Sequence, residues 1–94
     1  MDIIWRRTAL DDLEAARQYI AAENPRAAKR IYAAILSSVE RLAGFPGMGR
    51  PGRVVGTRVL VVQGTRYLVA YAVVASRVMI LAVMHEAQEW PEQF

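Results

Sequence analysis

At Pro46 the rhythm of apolar residues changes. Before it, apolar side chains recur every three or four positions; after it they gather in β-branched and aromatic runs. The boundary is PGMGRPGRVVGT, Pro46–Thr57, too rich in glycine and proline to continue either pattern. A chain of 94 residues divided in this way forms one domain, residues 1–94, of the α+β class. A domain this short buries only about 60–65% of its unfolded surface, so its stability is modest or borrowed from a partner.

In the first half, DIIW is a short β-type run. Thr8 reads as the N-cap of a helix, with Asp11, Asp12 and Glu14 complementing the positive end of its dipole. Ala9, Leu13, Ala16 and Ile20 make one helical face. Asn24 and Pro25 interrupt it as the cap and first turn of a second helix, which Ala28, Ile31, Ile35, Val39 and Leu42 carry on until Gly44 stops it. In the second half, RVLVVQ, RYLVAYAVV and RVMILAVMH are strands joined at GT and AS. The expected fold is an N-terminal short strand and a helical hairpin packed on one face of an antiparallel sheet of three to four strands, with DIIW at an edge. The other face is the natural place for a partner.

Charge is distributed unevenly. Residues 1–40 balance six bases with six acids, whereas residues 41–85 carry Arg41, Arg50, Arg53, Arg58, Arg66 and Arg77 and no acid. The tail adds Glu86, Glu89 and Glu92. A run of arginines suits planar anionic groups, so the middle of the chain calls for an acidic protein or a nucleic acid. The chain has no cysteine and no long apolar span, and it begins without the order of a secretion signal; a cytoplasmic location without membrane contact is expected.

Few residues offer chemistry. His85, the single histidine, ends the last strand beside Glu86; it could serve as an acid or base, or be a strand-end residue satisfied by local hydrogen bonds. One histidine without cysteine fills no metal shell, and no cofactor is implied. Tyr67 and Tyr71 share a strand face, as base-stacking platforms or as core residues with a hydroxyl at the rim. Trp90 either meets a ligand or folds back over the sheet edge. The Gly/Pro segment lacks phosphate-loop spacing and precedes a strand, leaving a connector with exposed Arg50 and Arg53.

The order FPxMGRPGRxxGTR…YxVxY…ILxVxHxAQxWP, spanning nearly the whole chain after the paired helices, resembles the RelE/ParE superfamily of bacterial toxins from type II toxin–antitoxin systems, in its ParE-like branch. The resemblance implies the same hairpin-on-sheet fold and one of two activities. RelE-like members cleave mRNA on the ribosome with basic residues and a tyrosine; ParE-like members poison DNA gyrase, and such systems stabilise plasmids. At positions corresponding to the ribonuclease residues stand Arg58 and Leu60, Leu68 beside Tyr67, and Glu86, Gln88 and Trp90 near the end. The expectation is therefore a gyrase inhibitor without catalytic residues, with Arg58, His85 and Tyr67 as the catalytic set of the ribonuclease alternative. A decayed toxin serving as a binding module is a third possibility. Resemblance also implies a cognate antitoxin whose acidic C-terminal segment wraps the toxin. Arg50, Arg53, Arg58, Arg66, Arg77 and Trp90 are the candidates for contact with antitoxin or target.

Overall fold

The computed structural model describes residues 1–94. In chain order the elements are β1 (Asp2–Trp5), α1 (Arg7–Ala21), α2 (Pro25–Arg41), β2 (Arg50–Pro51), β3 (Arg58–Val61), β4 (Tyr67–Val74) and β5 (Arg77–His85). The strands form one sheet in the order β1-β5-β4-β3-β2. The α+β class and the hairpin-on-sheet arrangement are those expected. The sheet is larger and mixed: β1 runs parallel to β5, and the Gly/Pro segment contributes the two-residue edge strand β2. Parallel neighbours need a long crossover, and here both helices and the whole meander separate β1 from β5.

Two helix boundaries differ from expectation. The first helix starts at Arg7 with Arg6 at the cap position and no side-chain cap, because β1 hands the backbone directly to it. The Arg6 N–H still donates to the Ile80 carbonyl at 3.1 Å, as a continuation of the β1–β5 pairing. Asp11, Asp12 and Glu14 thus lie beyond the first turn, where the dipole has little hold on them. The second helix ends at Arg41, and Gly44 does not take the left-handed conformation of a capping glycine. The Asn24 cap is as expected, its side chain accepting from the Ala27 N–H at 3.1 Å ahead of Pro25.

The core lies between the hairpin and the sheet. Leu13 of α1, Ile35 and Val39 of α2, and Leu60, Val69, Tyr71, Val78 and Ile80 of the sheet are among its buried members. Each fully buried aliphatic side chain contributes roughly 1.5–3 kcal/mol relative to exposure. A smaller apolar cluster occupies the opposite face: Ala70, Ala82 and Met84, packed by Leu68, Leu81, Trp90 and Phe94. That face is therefore partly covered by the chain's own tail.

One irregularity shapes β5. Ala70 pairs with Ala82 and Tyr71 with Ile80, so Leu81 has no partner and forms a β-bulge. Leu81 and Ala82 both pack on the tail side, and the inward residues change from Val78 and Ile80 to Val83.

Candidate functional site

The Gly/Pro segment is held down from the sheet. Tyr71, fully buried, accepts at its hydroxyl from the Gly49 N–H at 2.9 Å and donates to the Pro46 carbonyl at 2.7 Å. Arg58 Nη1 donates to the Gly49 carbonyl at 2.6 Å and reaches the Gly47 carbonyl at 3.4 Å. These two side chains face each other across the β3–β4 pair. The approach is close: a Cβ on Gly49 would lie 2.6 Å from the Tyr71 hydroxyl and 2.8 Å from the Val59 carbonyl. The segment is a connector, and Arg58 and Tyr71 are its clasp.

The other candidate arginines are dispersed. Arg66 pairs with Glu86 at 3.2 Å on the surface. Arg77 opens β5 after the hairpin turn, at the opposite end of β4 from Arg66. At about 3.4 Å per residue the length of β4 separates them by roughly 25 Å, so one ligand patch does not hold both. Arg53 is exposed in the connector. Arg50 on β2 lines a groove of about 300 Å³ with Arg41, Met48, Val61 and Gln63. Arg41 belongs to this surface, although the sequence gives it no distinction beyond its charge.

Tyr67 and His85 do meet. They are opposite residues on β4 and β5, with ring centroids 5.4 Å apart and planes at 89°. The His85 Nδ1 accepts from the Ala87 N–H at 3.1 Å, which places the proton of the neutral ring on Nε2. Its backbone N–H donates to the Gln88 side chain at 3.0 Å. The pair lines a cleft of about 400 Å³ between α1 and the end of β5, shared with Asp12, Tyr19 and Gln88.

Sequence reasoning passed over Asp12 as a site residue. Its position follows from the sheet: β1 ends at Trp5, opposite Ile80, so past Ile80 the β5 edge lacks a neighbouring strand. Asp12 supplies the acceptor there, its Oδ2 taking the Val83 N–H at 3.1 Å. Burial pushes its pKa above the ordinary 3.8, the Val83 hydrogen bond opposes that shift, and Asp11 adds to it. Burial likewise raises the Tyr67 phenol above 10.0, with a further contribution from Tyr19. Arg17, on the same helix, is engaged with Glu14. The cleft therefore presents acceptors and aromatic rings; Arg17 and Arg66 are paired elsewhere, and Arg6 lines the adjoining groove that shares Asp12 and Gln88.

Trp90 lies half-buried on the tail side, edge-on to Phe94 with centroids 5.8 Å apart. A Cβ on Gly52 would come within 3.3 Å of its ring, so the tryptophan also braces the connector. Its placement is that of a residue folded back over the sheet.

This architecture recurs in solved structures. A chain of the chromosomal ParDE TA system from P. aeruginosa superposes with a TM-score of 0.83 at 26% identity, covering 90% of this chain and 95% of that one. A chain of the toxin–antitoxin complex RelBE2 from Mycobacterium tuberculosis gives 0.66 at 28% identity, over 89% and 95%. Among curated relatives, a protein named "Putative toxin Y4kP" from Sinorhizobium fredii is 41% identical over 96% of this chain and 93% of its own length. Toxin RelE2 of Caulobacter vibrioides is 31% identical over 92% and 96%. The class so defined is that of the toxins of type II toxin–antitoxin systems. Within it, the model described as the ParE toxin of type II toxin–antitoxin system, parDE, matches residues 3–90, and the chain belongs to that family.

Proposed function

We propose that this toxin arrests growth by binding and poisoning DNA gyrase, without catalysis of its own, in the cytoplasm. A cognate antitoxin neutralises it, wrapping an acidic C-terminal segment around the molecule, with the groove lined by Arg41 and Arg50 as one contact. The observation that carries this reading is the environment of Tyr67 and His85. A ribonuclease of this fold must stabilise charge on a scissile phosphate with cations. The cleft instead holds Asp12, Arg58 is turned to the connector carbonyls, and Arg66 is paired with Glu86. The likeness to a chain of a ParDE TA system supports the presence of an antitoxin.

A ribosome-dependent endoribonuclease is the second reading. It is favoured by the contact of Tyr67 with His85 and by the likeness to toxin RelE2. The purified toxin is expected to inhibit gyrase supercoiling or to trap gyrase-cleaved plasmid, and His85→Gln is expected to retain that effect. Codon-register mRNA cuts in a translating extract, lost in His85→Gln and unaccompanied by gyrase inhibition, would overturn the proposal. Failure of antitoxin-free expression to slow growth would overturn both readings in favour of a binding module.

A further inference from the structure

We propose that the cleft between α1 and the end of β5 is a receptor for a cationic side chain, and specifically for an arginine guanidinium presented by a protein partner. Three groups lead to it. Asp12 uses Oδ2 for the Val83 N–H and makes no ion pair, with Arg6 on the adjoining groove but not bridged to it: the ion pairs of the molecule are Arg17–Glu14 and Arg66–Glu86. Tyr67 lines the cleft and is only 9% exposed as a residue; its hydroxyl bonds to no protein group and is the part open to solvent. Tyr19, 76% exposed, stands at the cleft as a second phenol.

These are acceptors and aromatic surfaces awaiting donors. A guanidinium offers five N–H donors in a plane, enough for a carboxylate and a phenol together, and it lies favourably on aromatic faces. An ammonium has the charge without the plane. A phosphate or nucleotide is the wrong sign for the Asp12 carboxylate, whose negative field Asp11 reinforces. The upward shift of the Asp12 pKa agrees with a carboxylate desolvated in advance of a cation, because an incoming positive charge reverses such a shift. The inference stands apart from the gyrase reading: it concerns what the cleft holds, and the two fail independently.

The test is an NMR titration of the full chain with N-acetyl-arginine methylamide, the neutral citrulline analogue, the lysine analogue and guanosine 3′-monophosphate. The arginine probe is expected to shift the Val83 amide and the Tyr67 and His85 rings saturably, with citrulline at least tenfold weaker and lysine between them. Asp12→Asn keeps an oxygen for the Val83 N–H and is expected to weaken arginine binding tenfold or more. Tyr67→Phe, which removes only the hydroxyl, is expected to weaken it by a smaller factor. Equal binding of arginine and citrulline, shifts that do not saturate, shifts confined to other residues, or tighter binding of the nucleotide would each overturn the proposal.

Discussion

At the residue scale, Tyr71 explains why so glycine-rich a connector keeps one conformation. Its hydroxyl both donates to Pro46 and accepts from Gly49. Tyr71→Phe leaves those backbone groups without the bond, at a cost of about 1–3 kcal/mol in chemical denaturation. Gly49→Ala is expected to cost more, because the added carbon meets both the phenol and the Val59 backbone. If the alanine variant is the more stable of the two, the clasp is not what holds the connector. Asp12 makes a prediction of opposite kind. Burial, the largest influence, raises its pKa, so the folded state holds that proton more tightly than the unfolded chain does. Its contribution is present below the unfolded value near 3.8 and is lost as pH rises through the folded value. Asp12→Asn is therefore expected to gain stability relative to the native chain between about pH 3 and pH 7. Denaturation curves at the two pH values that show a constant difference would refute the desolvation account.

At the element scale, the β4–β5 hairpin turns on Ala75 and Ser76, both at positive φ, 50° and 61°. Two such residues in a two-residue loop between Val74 and Arg77 match a type I′ turn, which favours asparagine and glycine. Replacing the pair by Asn-Gly is expected to stabilise the protein by about 1–2 kcal/mol, read as a higher unfolding midpoint. Local pattern made the helices and the strands legible: Ile35 and Val39 keep helical spacing, and Asn24-Pro25 is a start signal that depends on neighbours alone. Thr8 misled because β1 runs straight into α1, a condition known only once β1 has found β5. The bulge was hidden for another reason. In VMILAVM both faces of the strand are buried, so alternation, the usual sign of facing, is absent. The clasp and the cleft were equally out of reach, since Tyr71 meets Gly49 across 22 positions and Asp12 meets Val83 across 71.

At the scale of the whole molecule, the sheet has two apolar faces, with the helices on one and only Trp90 and Phe94 over part of the other. Removing residues 90–94 is expected to raise binding of a hydrophobic dye and lower the aggregation temperature, both by uncovering Ala82 and Met84. No such change on truncation would mean that the tail does not shield this face in solution. No helix is long and apolar enough to cross a membrane. The bulge has a further consequence for the length of the chain. Loss of one residue within a central strand ordinarily inverts every side chain beyond it. At Leu81 it need not: without that residue Ala82 can follow Ile80 outward, with Val83 still opposite Val69 and His85 still opposite Tyr67. The bulge thus carries a spare position, and a single-codon deletion of Leu81 or Ala82, unlike one elsewhere along β5, spares the histidine cleft.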